Sequence, residues 1–220
     1  MKPKFPLTQP FEELPETLPI YLLDNGLLPG GELPLTISEA HELSMFIDIL
    51  RSDQLIGIIQ PCHTNSEKDI YSIGCAGRIR QYRERKDGKI NLMITGICRF
   101  KVVEEINEPR GYRKVHADWS EYAHDYEAST IESGKITQFK DHLRLFFQSH
   151  QMQVDWNTLD RLEPEELISN LLLVSNFSTA LKQQLVESHS LETRLELFTS
   201  LLEEKAPPIW VNETQNQVVN

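Results

Sequence analysis

The sequence predicts an α+β protein in which a small, partly closed β-barrel with one helix is followed by a helical bundle. From about residue 18 to 120, short apolar runs are separated by turn residues, and after about residue 128 the apolar period becomes helical. A chain of 220 residues that is 40% hydrophobic and 25% charged has a globular composition. We therefore divide it into an N-terminal extension (1–14), a β-rich subdomain (15–125), a helical subdomain (126–205) and a C-terminal tail (206–220).

The β-rich part begins with two strands and a helix. Residues 18–23 are apolar and strand-sized, turn chemistry follows at 24–26, and residues 33–37 alternate with period two. Ser38 is predicted to be the N-cap of a helix because acidic residues follow it in the first turn. The helix then shows one apolar face, formed by Leu43, Phe46, Ile47 and Leu50.

Further strands complete the barrel. Residues 55–59 form a continuous apolar run, which is typical of a strand buried on both sides. Residues 71–85 contain glycines that indicate bulges, and Asp87-Gly88 predicts a hairpin turn with positive φ at both residues. Two more strand-like patterns are predicted over 90–103 and 112–119.

The second half is predicted to be helical. A long amphipathic segment runs from 131 to 147, and Pro164 with its acidic neighbours marks the start of a helix. Ser178 is predicted to cap the next helix, and residues 190–202 supply the last. The tail lacks periodicity and is expected to be flexible or loosely docked.

Charge and hydropathy exclude several classes of protein. A net charge of −11 makes non-specific nucleic-acid binding a poor hypothesis. The longest apolar runs are far shorter than the roughly 20 residues of a membrane span, and the proline-broken N-terminus does not suit a signal peptide. Three cysteines without a paired spacing predict reduced thiols in a cytoplasmic protein.

No motif predicts catalysis, a cofactor or a metal. Phosphate-binding loops, nucleophile elbows and zinc-binding helices are missing from the sequence. Cys62 beside His63 is a weak nucleophile candidate because adjacent side chains of an extended segment point to opposite faces. The seven histidines are scattered, the acids around Pro164 suit a helix dipole, and the three tryptophans suit packing. We therefore expect no enzyme, and no residue can be assigned to a binding site.

One local charge anomaly stands out. Residues 78–89 carry six basic and two acidic side chains, with Tyr82 among them. Three interpretations are open: a nucleic-acid patch, an exposed hairpin whose charges protect a sheet edge, or a contact with the acidic helical half. In a chain of net charge −11 the protected edge is favoured.

Several segments in order resemble the N-terminal domain of Lon proteases. Residues 18–39 are similar to the family's opening strand, Pro-Gly turn and Pro-Leu-x-Ile stretch. Residues 71–79 resemble its Gly-x-x-Ala-x-Ile strand, and Gly-Ile-Cys-Arg-Phe at 96–100 resembles its Gly-x-x-Arg-Phe element. Residues 178–187 and 191–202 resemble the helices that close the domain. The first helix departs from the family pattern at Ser38 and at 40–42, which changes its surface.

The resemblance implies a PUA-like β pseudo-barrel followed by a helical bundle and a role in recognising proteins. It implies no peptidase activity, because 220 residues leave no room for the ATPase and Ser-Lys protease domains; a stand-alone bacterial protein is expected. The leading hypothesis is a non-enzymatic module, an adaptor that binds unfolded polypeptides or specific protein partners. The alternative is a PUA-like nucleic-acid-binding module that uses the basic hairpin 78–89.

Candidate surfaces for protein binding are the apolar turn at Leu27-Leu28-Pro29, the seam between barrel and helices, and an exposed strand edge. The turn and the seam could equally be ordinary core. We expect no membrane partner, and the sequence leaves the oligomeric state open.

Overall fold

The computed structural model describes residues 8–62, 69–127 and 131–203 of the chain. These residues form an α+β fold, as predicted, and two short 3₁₀ helices span Phe11–Glu13 and Ser120–Tyr126. The strands are β1 (Thr17–Leu22), β2 (Glu32–Ile37), β3 (Leu55–Ile59), β4 (Ile73–Glu84), β5 (Ile90–Ile106) and β6 (Arg113–Asp118). The helices are α1 (Ala40–Arg51), α2 (Ser133–Ser149), α3 (Trp156–Leu159), α4 (Pro164–Val174), α5 (Thr179–Glu187) and α6 (Leu191–Glu203).

Strand β5 organises the sheet. Its N-terminal half lies between β2 and β4, and its C-terminal half pairs with β6. Because β6 also pairs with β1, and β1 with β3, five strands pair in a closed circuit β1–β3–β4–β5–β6, with β2 added outside it. Only β1 and β3 run parallel. The kinship to PUA barrels that the resemblance implies stays a prediction.

Glycines allow the strands to approach closely where β4 and β5 bend. The β4–β5 register shifts between Ala76 and Gly77, which is the bulge that the glycines predict. A Cβ atom at Gly96 would overlap the carbonyl oxygen of Leu28, so only glycine fits between β5 and the loop after β1.

Three apolar clusters form the core. Helix α1 packs Met45, Phe46 and Ile49 against β2, β4 and β5. A second cluster joins β1, β3, β6 and the C-terminal half of β5 to the 3₁₀ helix at Ser120–Tyr126. The third holds α2, α4, α5 and α6 together and includes Leu28 from the β-rich half. Within the described residues, no helix is both long and apolar enough to span a bilayer.

Three local predictions were wrong or incomplete. Helix α1 begins one residue later than predicted, with Glu39 as its N-cap, because the Glu42 carboxylate reaches back to the N–H groups of Ser38 and Glu39 at 2.8 and 2.9 Å. Only Gly88 of the hairpin has positive φ, since the loop is a three-residue turn rather than a two-residue one. The short helix α3 was not predicted.

The starts of α4 and α5 were predicted correctly. Pro164 lies at the first position of α4, and the Ser178 hydroxyl accepts a hydrogen bond from the N–H of Leu181. Residues 8–14, assigned to the N-terminal extension, contact the β-rich half, where the rings of Phe11 and Tyr126 lie 5.4 Å apart. The predicted tail, 206–220, lies outside the described residues.

Candidate polypeptide-binding surfaces

The seam between the two halves is filled by a buried ion pair. Arg99 of β5, 1% exposed, donates from Nε and Nη2 to both carboxylate oxygens of Asp125 at 3.0 and 2.9 Å. Its Nη1 donates to the carbonyl oxygens of Val186 and Ser188. Burial alone would lower the pKa of Arg99, but the bonds to Asp125 prevail and raise it. At this point the seam is occupied by the protein's own side chains, which is the core alternative that the sequence left open.

A second guanidinium closes the same end of α5. Arg194 is buried and donates to the carbonyl oxygens of Leu185 and Ser188 at 2.9 and 3.1 Å. Burial lowers its pKa to about 10. Both arginines therefore satisfy carbonyl groups at the C-terminus of a helix, where positive charge is stabilising. Arg99 thereby joins the helices to the sheet, and Arg194 joins α6 to the C-terminus of α5.

The apolar turn at 27–29 also belongs to the interior. Leu27 and Leu28 are 1% and 0% exposed and enter different core clusters. The Ser169 hydroxyl donates to the carbonyl oxygen of Pro29 at 2.7 Å. Close by, Lys182 Nζ donates to the side-chain oxygen of Asn25 at 2.9 Å. The turn joins the two halves and offers no apolar surface to a partner, so here too the core alternative holds.

The outer edge of β2 is blocked. Residues 33, 35 and 37 face β5 in the ladder, because the Gly31 carbonyl oxygen accepts from Gly96 N–H and the pattern alternates from there. The outward positions are 32, 34 and 36. The Glu32 N–H donates to the Asn170 side chain at 3.1 Å and Pro34 has no N–H, so two of the three outward donors are blocked. An added strand would find few donors on this edge.

The distal half of β4 has an open edge. Strand β3 pairs with β4 only as far as Arg78, and the next contact is the Ile79 N–H to the Gln54 carbonyl oxygen. Beyond it, within the parts of the chain that the structure describes, no strand pairs with the outer side of residues 80–84, all of which are exposed. Because Arg85 N–H bonds to the Lys89 carbonyl oxygen, alternation points the N–H and C=O groups of Tyr82 and Glu84 outward.

The two faces beside this edge differ in chemistry. Tyr82 pairs with Leu92 on the α1 side, where its ring lies 5.3 Å from that of Phe46. Tyr82 is 49% exposed and Ile47, the neighbour of Phe46 in α1, is 47% exposed. The half-exposed Tyr82 ring, packed on Phe46, gives the face beside α1 an apolar character at this edge.

The opposite face of the sheet is basic. Arg83 pairs with Asn91 there, and Arg80 Nε donates to the Thr95 hydroxyl at 3.3 Å. The predicted basic and aromatic residues therefore lie on opposite faces and do not form one stacking platform for bases. Arg83, Lys86 and Lys89 are exposed, and no acidic side chain of the described residues pairs with them. Contact with the acidic helical half does not occur through these three side chains.

Two further grooves lie on the described part of the surface. A polar groove of about 430 Å³ lies between α1, β1 and β6; in it Asp48 pairs with Arg110 and accepts from the Tyr112 hydroxyl at 2.9 Å. Burial and this hydrogen bond raise the pKa of Tyr112 to about 12. A smaller groove of about 250 Å³ between α2 and α6 is lined by Phe139 and Leu195.

Chemically reactive groups do not converge. Cys75 and Cys98 are buried, and burial raises the pKa of both thiols, which opposes nucleophilic reactivity. Cys62 is half-buried, and His63, considered above as its partner in a nucleophile pair, lies outside the described residues. Within the described ranges, no three His, Cys, Asp or Glu side chains are grouped in a way that could hold a metal ion.

Sequence reasoning missed the two residues of the seam ion pair. Arg99 lies in the Arg-Phe element that carries the family resemblance, yet an isolated arginine gives no indication that it is buried. Asp125, 26 positions away, carried no signal at all. The edge position of β2 had a signal in Pro34, because a proline within an alternating pattern indicates an edge strand.

Two solved structures of Lon N-terminal domains have a similar fold. The Lon N-terminal domain protein from Xanthomonas campestris has a TM-score of 0.63 at 18% identity, covering 84% of this chain and 97% of that one. The N-terminal domain of the Mycobacterium avium complex Lon protease has a TM-score of 0.65 at 18% identity and covers 86% and 100%. The architecture therefore defines an α+β domain of the Lon N-terminal type.

Sequence comparison gives the family. The family described as the ATP-dependent protease La (LON) substrate-binding domain matches residues 17–204, and the chain belongs to it. Lon protease of Dictyoglomus thermophilum is 25% identical over 215 residues, which are 95% of this chain and 27% of that protein. Lon protease 2 of Myxococcus xanthus is 32% identical over 112 residues, 49% of this chain and 13% of that protein. The chain thus spans about a quarter or less of these relatives, and the match concerns their substrate-binding domain alone.

Proposed function

We propose that this protein is a non-enzymatic recognition module that binds unfolded polypeptides. Membership of the Lon substrate-binding-domain family supports protein recognition. The observation that carries the proposal is the open edge of β4, flanked by apolar side chains on one face and basic ones on the other. An extended chain binds a sheet edge through its own backbone, so such a site accepts many sequences provided that they are unfolded.

The scaffold suits this task because it holds the edge rigidly. The buried Arg99–Asp125 pair at the seam and the loop carrying Leu27 and Leu28, which enter two different core clusters, leave little room for the halves to move apart. A site held on strands keeps its geometry better than one held on loops. In our proposal the chain acts as an adaptor in the cytoplasm, holding or presenting a polypeptide for another protein to process.

A fluorescence anisotropy titration tests the proposal. The probe is a labelled protein kept unfolded by carboxymethylation of its cysteines, and the control is the same labelled protein in its native, disulfide-bonded form. We expect saturable binding of the unfolded form and none of the folded form. Equal binding of both forms, or of neither, would contradict the proposed function.

A labelled RNA oligonucleotide is the third arm. Binding through phosphates falls steeply as salt rises, so a nucleic-acid module would bind it at 50 mM salt and release it at 500 mM. The division of Tyr82 and Arg83 between opposite faces leads us to expect no RNA binding tighter than the non-specific range of about 10⁻⁴–10⁻⁶ M.

A further inference from the structure

We infer that residues 80–84 of β4 bind an extended, acidic polypeptide segment whose alternate residues are apolar, by adding it as a strand to the sheet. This inference rests on the proposed function and assigns its site and substrate class. The name "β4 edge" is used below for the outer side of residues 80–84.

The backbone of the β4 edge offers the first part of the recognition. Tyr82 and Glu84 each present an outward N–H and C=O, spaced two residues apart as in any antiparallel or parallel ladder. The outward N–H before them, that of Ile79, is already bonded to Gln54. The edge is therefore short, and it supports weak, reversible binding of about five residues of a partner.

The side chains select the composition of the ligand. In an added strand, successive residues would point alternately to the two faces of the sheet. Those on the α1 side would meet the Tyr82 ring, which is about half exposed and packs against Phe46, and this suits apolar residues. Those on the other side would meet Arg83, whose charge no acidic side chain of the described residues neutralises.

Charge complementarity commits the site to an acidic ligand. The segment 78–89 has a net charge of +4 in a chain whose net charge is −11, so positive potential is concentrated at this hairpin. Lys86 and Lys89 extend it beyond the end of the strand. Glu84 is the one acidic residue of the edge itself, and it lies on the apolar side.

The outer edge of β2 differs from the β4 edge because its donors are largely blocked. On β2, Pro34 removes an outward donor and Asn170 occupies another. Nothing comparable occupies Tyr82 or Glu84 in the described structure. The difference between the two edges is the reason why we assign binding to β4 and not to β2.

The test uses the full chain and a labelled seven-residue peptide in which Glu and Val alternate, with a peptide of alternating Lys and Val as its counterpart. We expect saturable binding of the acidic peptide and none of the basic one. Glu84→Pro removes an outward N–H while leaving the β4–β5 ladder intact, and we expect about fivefold weaker binding. Glu84→Ala loses the same charge but keeps the N–H, and we expect it to bind at least as well as the wild type.

Charge reversal gives a second, independent variant. Arg83→Glu should weaken acidic-peptide binding about tenfold at 50 mM salt, and the difference should shrink at 500 mM. Arg161→Glu, at an exposed arginine of the helical half, is the matched control and should bind as the wild type does. Circular dichroism of each variant shows whether it is folded.

The outcomes separate this site from the proposed function. If the unfolded protein probe binds the wild type, Glu84→Pro and Arg83→Glu equally, the β4 edge is not the site, although the proposed function stands. If the unfolded protein probe binds neither the wild type nor either variant, the proposed function fails. A wild-type dimer that Glu84→Pro dissociates, as measured by sedimentation, would assign the edge to self-association and overturn the inference.

Discussion

At the scale of single residues, buried charge decides how the two halves are held together. Arg99 is 1% exposed and Asp125 is 6% exposed, so neither charge is solvated by water. Such a pair is strongly stabilising only in comparison with a structure that keeps one partner alone. Removing the carboxylate charge leaves a guanidinium surrounded by apolar side chains and carbonyl groups.

Asp125→Asn should therefore lower the free energy of unfolding by about 3–5 kcal/mol. The amide nitrogen of asparagine adds a donor that faces the donors of Arg99, and no charge is left to balance the guanidinium. Urea unfolding followed by circular dichroism measures the loss. Glu105→Gln breaks the exposed ion pair with Arg113 and should cost less than about 1 kcal/mol; equal costs at the two sites would refute this account of the seam.

The buried thiols predict a loss of stability at alkaline pH. Burial raises the pKa of Cys75 and Cys98, so the unfolded state releases these protons at a lower pH than the folded state. Stability is complete below the unfolded thiol pKa of about 8.5 and falls above it, by about 1.4 kcal/mol per pH unit for each thiol. Tyr21 and Tyr112, with pKa values raised to about 12, add to the fall above pH 10.

Urea unfolding between pH 8 and 11 measures this dependence. The double variant Cys75→Ala/Cys98→Ala should be less stable at pH 8 but should lose less stability per pH unit. Burial lowers the pKa of Lys182, so its contribution to the pH dependence of stability has the opposite sign. That contribution is the same in the wild type and the double variant and cancels when the two are compared. Identical alkaline slopes for the wild type and the double variant would show that the thiols ionise as freely in the fold as outside it.

At the scale of elements, helix starts and strand edges follow short-range rules with identifiable exceptions. Helix α1 shows how one side chain can displace a predicted cap: Glu42 accepts from the backbone N–H groups of Ser38 and Glu39 and from the Tyr21 hydroxyl. Burial would raise the pKa of Glu42, but these three bonds together lower it. The carboxylate form is therefore the one that stabilises the start of the helix.

Glu42→Ala should destabilise the protein by about 1–2 kcal/mol at pH 7, since three hydrogen bonds lose their acceptor. Ser38→Ala should cost almost nothing, because Glu39 is the N-cap. Because the folded pKa of Glu42 is lowered, its contribution is complete above the unfolded pKa of about 4.3 and is lost as the pH falls through the lowered folded pKa. Thermal unfolding at pH 7 and pH 3 checks both statements; a larger cost for Ser38→Ala than for Glu42→Ala would restore Ser38 as the cap.

The sequence predicted those elements whose signal is local. The five buried residues of β3 and the start of α4 at Pro164 were predicted from apolar runs and cap chemistry alone. Short-range patterns could not predict that β6 closes the circuit onto β5, because that pairing joins separate strands and depends on a register shift between Val102 and Glu104. For the same reason the sequence could not decide whether Leu27-Leu28 is a binding surface or core: an apolar turn looks the same in sequence whether it is exposed or buried.

At the scale of the whole molecule, the shared seam makes the β-rich and helical halves one cooperative unit. Arg99 and the loop that carries Leu28 cross between the halves, and Arg194 ties α6 to the C-terminus of α5 beside them. Trp119 packs beside Phe100 in the β-rich half, and Trp156 packs beside Phe147 in the helical half. Both were predicted to be packing residues, and each reports on one half.

Two variants isolate these reporters: Trp156→Phe/Trp210→Phe leaves Trp119, and Trp119→Phe/Trp210→Phe leaves Trp156. Within each variant, urea unfolding followed by tryptophan fluorescence should coincide with unfolding followed by circular dichroism, as a two-state transition requires. An additional Gly96→Ala substitution should move the midpoint down in both, because the new methyl group meets the Leu28 carbonyl at the junction. Separate transitions for the two halves would contradict a single cooperative unit.

Recognition of extended polypeptide by this fold is the central claim, and amide hydrogen exchange of the wild-type chain tests it most directly. Exchange is measured with and without a saturating concentration of the carboxymethylated, unfolded protein. We predict that the N–H groups of Tyr82 and Glu84 become protected, while Arg83, already bonded within the ladder, and the amides of the seam are unchanged. No added protection anywhere in the chain at saturation would contradict the claim that this protein binds unfolded polypeptides.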